Sequence, residues 1–360
     1  MIISNYWNSA LRSLTKKKGF SAINILGLAI GMAAALLILT YVAFEYSYDD
    51  MHSRQDRIFR VEARFYENGE LTDDWASSSA GYATAMKQNM SAVEDYTRVG
   101  SQYYPEQVVK YNELLCRETG IGYAEANFFD FFDFKLLKGN KESCLDGPNK
   151  VVITERIARK YFKGADPIGK ILIFRSNIGE EACEVTGIME DMPINTHIRY
   201  NLLISYKTLP KWMDEYWYRH EVYSYVLLKS ANLKTQVEED FPVMAEKYKT
   251  EEALKNKTWA IQLTNLRDIH LNPQKAYEPE VKGNRSSIWV LICTALAILC
   301  IAWINYINMT VARSMERAKE IGIRRTSGAS RRQVISQFLF ESLVTNSIAF
   351  ILAIGLMEAL

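Results

Sequence analysis

The chain has 360 residues, and its 43 lysines and arginines against 42 aspartates and glutamates give a formal net charge of +1. This balance carries no sign of a basic surface for nucleic acid. The mean hydropathy is −0.14, so any membrane segments must be accompanied by a large water-exposed part. Tyrosine and phenylalanine are abundant, at 21 and 15 residues, and this favours β structure in that part.

Two long runs without a charged residue predict transmembrane helices. The first extends from Phe20 to Phe44, and the second lies between Arg285 and Arg313. Each exceeds the roughly 20 residues needed to cross about 30 Å of hydrocarbon. We assign transmembrane helices to residues 20–45 and 286–312. A third apolar run, within residues 341–360, is shorter than a usual span, so we expect the start of a third helix in a truncated chain.

Lysine and arginine positions predict the orientation. Arg12 and three consecutive lysines precede the first span, whereas Glu45 and two aspartates follow it. The positive-inside rule therefore places the N-terminus in the cytoplasm and the middle of the chain outside. The apolar run is too long for the core of a cleaved signal peptide. Residues 1–19 carry apolar side chains at helical spacing, which suits either an interfacial amphipathic helix or a cytoplasmic extension of the span.

Residues 46–285 are numerous enough for one or two folded domains. Strand patterns occur at residues 59–65, 151–153, 171–174, 184–188, 224–228 and 259–263. In the first of these, Arg60, Glu62 and Arg64 alternate with apolar residues, and Thr154 is placed to cap a helix after the second. The predicted fold class is a membrane protein, with transmembrane helices flanking a large α+β extracytoplasmic domain of two subdomains.

Residues 313–340 form a basic segment directly after the second charge-free run. Gly328 interrupts a predicted helix there, and Ser330 is positioned to cap another. A broken basic helix suits docking into a groove on a cytoplasmic partner, and anchoring at phospholipid headgroups is the alternative. The candidate docking residues are Glu320, Gly322, Arg324, Arg325, Gly328, Ala329, Arg331 and Arg332.

No set of residues predicts catalysis. The histidines are scattered without metal-ligand spacing, so we expect structural roles for all of them. They are His52, His197, His220 and His270. No P-loop, nucleophile elbow or H-E-x-x-H sequence occurs, so we expect no catalytic residue, metal or cofactor in this chain. Cys116, Cys144 and Cys183 in the outer part fit one disulfide with a free thiol or three reduced thiols equally.

Residues 316–342, ERAKEIGIRRTSGASRRQVISQFLFES, resemble the segment that follows the second span in FtsX/MacB-type ABC transporter permeases. Other segments are similar to the large permeases of this family common in Bacteroidetes-like bacteria. In chain order they are NILGLAIG at 24–31, YDDMHSRQDRIFRV at 48–61, NFF at 127–129, VVITERIARKYFKGADPIG at 151–169 and DIHL at 268–271. The similarity covers nearly the whole chain in order, so it is more specific than any one motif.

The resemblance implies a MacB-like periplasmic core domain at residues 46–285 and the start of an FtsX-like permease domain at 286–360. It implies a multi-pass permease of the inner (plasma) membrane that couples ATP hydrolysis, by a separate ABC ATPase subunit that binds the ATP, to export of a periplasmic substrate. A second permease copy, a periplasmic adaptor and an outer-membrane channel are the other implied partners. A non-transporting signal transmitter that activates an envelope enzyme, and a nonfunctional truncated fragment, remain alternatives.

Overall fold

The computed structural model describes residues 7, 12, 14–15, 18–100, 106–176, 179–215, 217, 219–220, 222–249, 256–279, 282–312, 318, 321–323, 325–326, 328 and 330–359. The chain divides into two compact units. One unit combines Met1–Phe44 with Arg285–Leu360, and the other, called here the outer domain, is Glu45–Asn284. Most of residues 1–19 lie outside the described residues, although Trp7, Arg12, Leu14 and Thr15 are helical.

Seven α-helices have bounds within the described residues. They are α1 (Lys18–Tyr46), α2 (Ala80–Asn89), α3 (Phe128–Phe131), α4 (Glu155–Phe162), α5 (Lys234–Ala245), α6 (Arg285–Ala312) and α7 (Arg331–Ala359). By length and composition, α1, α6 and α7 are each able to cross a membrane. The third of them has 29 residues and joins the helix predicted to start after Ser330 to the apolar run expected at residues 341–360. Arg331, Arg332 and Glu341 are charged, but neither glycine nor proline lies between them, so the helix continues.

Small residues let the three long helices of the first unit approach closely. A side-chain carbon at Gly31 of α1 would lie only 2.8 Å from Cβ of Ala302 in α6. Leu28, Ala302 and Ala349 belong to one buried apolar cluster that draws on all three helices. Asn305 also lies against α1, since its amide nitrogen is 3.5 Å from the position of a Cβ at Gly27. Close contact through small residues is a common way for helices to associate in lipid.

The outer domain is built on one mixed sheet of thirteen described strands. They are β1 (Ile58–Glu67), β2 (Glu70–Trp75), β3 (Val93–Gly100), β4 (Glu106–Tyr111), β5 (Leu114–Thr119), β6 (Ile121–Ala124), β7 (Leu136–Lys138), β8 (Lys150–Thr154), β9 (Ile171–Ser176), β10 (Gly179–Met189), β11 (Leu202–Ser205), β12 (Val222–Leu228) and β13 (Thr258–Asn265). The order is β13-β1-β12-β3-β6-β11-β8-β10-β9-β4-β5, with β2 beside β1 and β7 beside β10. The β8–β10 and β6–β11 pairs are parallel, whereas the other pairs are antiparallel.

Three clusters of buried apolar residues line the sheet, one of them around Phe128, Phe132 and Leu203. At one end, α2 and α5 pack on β1, β12 and β13 around Tyr82, Phe241 and Trp259. At the other end, α4 packs on β8, β9 and β10 around Ile153 and Phe174. The α+β prediction is confirmed. In place of the two expected subdomains, the outer domain is one compact unit with three hydrophobic clusters on one continuous sheet.

The predicted strands coincide with observed ones. All six sequence patterns fall within β1, β8, β9, β10, β12 and β13. Thr154 caps α4 as predicted, because its hydroxyl oxygen accepts a hydrogen bond from the Ile157 N–H at 3.4 Å. Local patterning was sufficient for these elements because short runs of β-branched, aromatic and other apolar residues favour strands, whether they alternate as in β1 or are continuous as in β8 and β12.

All five cysteines are unpaired. Of the two readings that the sequence left open, the structure therefore shows three separate thiols in the outer domain. Burial raises the pKa of Cys144 to about 11 and that of Cys183 to about 12. Both thiols are protonated at neutral pH and are correspondingly unreactive.

Candidate coupling sites

The basic segment of residues 313–340, called here the coupling segment, turns at Gly328 immediately before α7. Gly328 has a φ of +92°, and its N–H donates to the carbonyl oxygen of Arg325 at 3.1 Å. An L side chain is strained in this left-handed conformation, which is why glycine is favoured. Space is not the reason, since no atom lies within 4 Å of a Cβ built at this position. The turn therefore sets the direction in which α7 starts.

The start of α7 is fixed by a capping box. The Gln333 N–H donates to the Ser330 hydroxyl oxygen at 3.4 Å, and the Ser330 N–H donates to the Gln333 side-chain oxygen at 2.9 Å. This reciprocal pair satisfies two backbone donors that a helix start otherwise leaves without partners. The predicted cap at Ser330 is confirmed. The second half of the coupling segment and the third candidate span are thus one uninterrupted helix.

The first turns of α7 present basic and apolar side chains to the outside. Arg331 and Arg332 are exposed, and Ile335 and Leu339 are 47% and 66% exposed, whereas Val334 faces inward. Two cations at a helix N-terminus oppose the helix dipole and cost the helix about 0.3–1 kcal/mol each. These arginines therefore do not serve the stability of α7 itself.

The other predicted docking residues lie before the turn. Arg325 is helical and exposed, and the helical Gly322 has no atom within 4 Å of its Cβ position. Together with Gly328, Arg331 and Arg332, they occupy both sides of the turn. Glu320, Arg324 and Ala329 lie outside the described residues.

A cluster of buried charges lies in the outer domain, on β1 and on the chain just before α6. Arg60 is fully buried and donates to both oxygens of Glu278, at 2.6 and 3.2 Å, and to Glu62 Oε1, at 2.6 and 3.0 Å. Lys282 contacts Glu278 at 2.6 Å, and Lys275 contacts Glu62 at 2.8 Å. Burial acts to raise the pKa of Glu62, but Arg60 and Lys275 outweigh it and hold that pKa below its ordinary value.

A second buried polar group holds the chain that leaves α1. Asp49, with a φ of +59°, accepts hydrogen bonds from the Thr196 hydroxyl and from Nδ1 of His197, the latter at 2.6 Å. Nε2 of His197 lies 2.9 Å from the hydroxyl of Tyr225 on β12. Burial acts to raise the pKa of Asp49, but His197 and the hydrogen bonds it receives keep that pKa below its ordinary value. Tyr225 lies directly opposite Arg60 in the β1–β12 register.

A third contact joins the two ends of the outer domain directly. Oε2 of Glu45, in the last turn of α1, lies 2.8 Å from Nε2 of His270. His270 in turn stacks on Tyr48, with ring centroids 3.4 Å apart. Gly283, two residues before α6, leaves so little space that a Cβ there would lie 2.5 Å from Glu45 Oε2 and 2.9 Å from His270 Nε2.

The other two histidines are buried against aromatic rings. Nδ1 of His52 accepts a hydrogen bond from the Asp133 N–H at 3.1 Å, and burial lowers the pKa of His52 to about 4. His220 packs against Phe65 and Trp75, and within the described chain neither of its ring nitrogens has a hydrogen-bond partner. Burial lowers the pKa of His220 to about 3. Both rings are therefore neutral at physiological pH.

Sequence reasoning missed the buried charge cluster. The alternation of Arg60, Glu62 and Arg64 with apolar residues is the pattern of a strand with one face in water, yet Arg60 and Glu62 are buried. Apart from each other, their partners Glu278 and Lys275 lie more than 200 positions later in the chain. The available signal was a set of charged residues directly before the second span, Lys275, Glu278 and Lys282. Lys275 is opposite in charge to Glu62 on β1, and Glu278 is opposite in charge to Arg60.

Comparison with known families agrees with the resemblance seen in the sequence. The MacB-like periplasmic core domain family matches residues 21–242, and the FtsX-like permease C-terminal family matches residues 292–360. The chain therefore belongs to the ABC transporter permeases of the MacB/FtsX type. The apolar helices and the periplasmic-domain match together define a membrane protein with an extracellular domain.

Two curated relatives show how far the similarity extends. A macrolide export ATP-binding/permease protein, MacB of Neisseria meningitidis, is 26% identical over 251 residues, covering 69% of this chain and 36% of that protein. The chain thus spans about a third of the length of that relative. The uncharacterized ABC transporter permease YknZ of Bacillus subtilis is 22% identical over 360 residues, covering 96% of this chain and 83% of that one.

A solved structure shares the fold of the outer part. It is a domain of a putative permease protein from Porphyromonas gingivalis, with a TM-score of 0.53 and 23% identity. The match covers 64% of this chain and 95% of that one. The family matches and the curated relatives place the chain in an ABC transporter context, as a permease component.

Proposed function

We propose that this chain is the permease subunit of an ABC transporter of the export type. A separate ATPase subunit binds and hydrolyses ATP, and the outer domain changes conformation to move a periplasmic substrate outward. The permease acts with a second permease copy. The proposal rests on the family membership and on the export function printed in the name of the MacB relative.

The observation that carries the proposal is the continuity of α7. The helix starts at a capped, exposed basic turn and continues without interruption through 29 residues as a candidate span. A helix of that length is about 43 Å long and transmits displacement along its axis. A partner that binds Arg331 and Arg332 thereby gains a direct mechanical connection to the membrane part of the permease.

The proposed topology follows the charge distribution. The N-terminus and the coupling segment are cytoplasmic, where an ATPase has access to ATP, and the outer domain is periplasmic. The coupling segment is the docking site, with the arginines supplying charge and Gly328 setting the helix direction. The adaptor and outer-membrane channel implied by the resemblance would then act on the periplasmic side.

Charge reversal at the start of α7 tests the docking site. The double variant Arg331→Glu, Arg332→Glu should co-purify with at least about tenfold less ATPase than the wild-type chain does. Placing like charges opposite each other at an interface costs several kcal/mol of binding free energy. ATPase recovered with the full-length chain from detergent-solubilised membranes is measured by quantitative mass spectrometry.

The matched control is Arg331→Lys, Arg332→Lys, which keeps the charge and should retain most of the ATPase. Membrane insertion of each variant is measured in parallel by protease protection of the outer domain. Undiminished ATPase recovery with the glutamate variant would contradict docking at these residues. Loss of insertion with the glutamate variant alone would instead favour headgroup anchoring as the role of these arginines.

A further inference from the structure

The outer domain begins and ends at the same place, where the chain leaves α1 and where it approaches α6. The Glu45 carboxylate contacts His270 and lies against the backbone of Gly283, so the two chain ends meet there directly. Every residue in this contact is buried or half-buried. A tight fit around a glycine leaves little freedom for one end to move past the other.

A second connection between the same ends runs through the sheet. Asp49 on the exit side is linked by His197 to Tyr225 of β12, and Tyr225 faces Arg60 of β1 across the strand pair. Arg60 in turn makes a bidentate pair with Glu278, and Glu278 also binds Lys282. Bidentate arginine–carboxylate pairs fix orientation as well as distance.

We infer that these two connections form a polar strap that makes the two ends of the outer domain, at Glu45 and at Gly283, move as one body, with Arg60 and His270 as its positioning residues. The strap is anchored on β1 and β12, which are neighbours in the sheet and near one of its ends. A displacement of either chain end is therefore passed to the strands rather than absorbed in a loose linker. The role in transport rests on the proposed function, whereas the strap itself does not.

Buried ion pairs are better at fixing the relative position of two segments than at raising the free energy of unfolding. An apolar replacement of similar volume often stabilises a fold as well as a buried ion pair does, while register and orientation are what charged pairs specify. If the strap served stability alone, breaking it would lower the melting temperature without changing the distance between the two ends. The two roles are therefore separable by measurement.

The test is a distance measurement on the full-length chain in lipid nanodiscs. Spin labels are attached to a genetically encoded keto amino acid at Tyr46 and at Asn284, two exposed residues at the ends of the outer domain, so that the native cysteines stay unlabelled. The wild-type chain should give a single narrow distance distribution by double electron–electron resonance. The variant Arg60→Met, His270→Phe, which breaks both connections, should add a second population at longer distance.

The matched control is Arg98→Met, His220→Phe. Arg98 is also a buried cation with two carboxylate partners, Glu125 at 2.5 Å and Asp214 at 2.5 Å, and His220 is a buried histidine outside the strap. This control should keep the narrow distribution even where its melting temperature falls. A longer population in the control as well would overturn the strap, because general loosening would then account for it.

A wild-type distribution in the folded strap variant would also overturn the inference. If that variant does not fold, Glu45→Gln, Glu278→Gln provides the same test, since it removes both charges while keeping side-chain shape. The experiment needs no ATPase. Its failure would leave the proposed function standing, and failure of ATPase docking would leave the strap standing.

Discussion

Replacing Arg60 with methionine should lower the free energy of unfolding of the outer domain by about 3–5 kcal/mol. Methionine fills much of the volume but removes four charge-assisted hydrogen bonds, two to Glu278 and two to Glu62. Glu278 then keeps only Lys282 and Glu62 only Lys275 as cationic partners, and losing one partner of a buried ion pair costs far more than the net value of the intact pair. Urea unfolding of the full-length chain in detergent, followed by the fluorescence of Trp75, Trp217 and Trp259, measures the change.

The control for this prediction is Arg117→Met. Arg117 pairs with Glu106 at 3.5 Å, but the two side chains are 75% and 51% exposed. Water screens such a pair, so this variant should lose no more than about 1 kcal/mol. Equal losses for Arg60→Met and Arg117→Met would contradict the burial argument.

Acidification from pH 7 to pH 5 should destabilise the outer domain, and His220→Phe should remove about half of the effect. Burial lowers the pKa of His220 to about 3 and that of His52 to about 4, against an ordinary value of 6.5. Between these values the unfolded chain binds protons that the folded chain does not, so stability is full above the ordinary pKa and falls as the pH falls. Each histidine contributes a loss of about 2 kcal/mol at pH 5.

Carboxylates contribute mainly at lower pH. The pKa values of Asp49, Glu62 and Asp74 lie below their ordinary values of 3.8 to 4.5, so their protonation destabilises the fold mostly below about pH 4.5. The window between pH 7 and pH 5 therefore reports the histidines. Since neither ring nitrogen of His220 has a partner in the described part of the chain, His220→Phe should also be neutral or stabilising at pH 7.

Urea midpoints of the wild-type chain and of His220→Phe, measured at half-unit steps from pH 7 to pH 5, check this expectation. The midpoint of the variant should change about half as much as that of the wild type over this range. Identical pH profiles would show that His220 binds protons equally well in the folded and unfolded states. That result would contradict the lowered pKa that we attribute to its burial.

Much of the outer domain and half of the coupling segment could be predicted because the signals are local. The strand at Val151–Ile153 and the cap at Thr154 need only a few neighbouring residues to specify them. The same is true of Gly328, where a left-handed turn requires glycine, and of Ser330, where Gln333 completes a capping box. Each of these structures is decided within about one helical turn of sequence.

The strap could not be predicted, because its partners are brought together only by the tertiary fold. Arg60 and Glu278 are separated by 218 positions, and the alternation on β1 gives no indication that its polar face is covered. A helix starting after Ser330 was predicted, but its continuity with the apolar run from residue 341 was not, because the absence of charge was used to mark the two as separate elements. Charge marks the membrane boundary, whereas helix boundaries follow caps and breakers.

The most direct measurement of the central claim is affinity purification of the full-length chain from its native membranes, followed by mass spectrometry. The proposal predicts that an ABC ATPase is recovered in roughly equal amount with the permease, since each permease copy docks one ATPase through its own coupling segment. Recovery of a folded, inserted chain without any ABC ATPase would contradict the assignment as a transporter subunit.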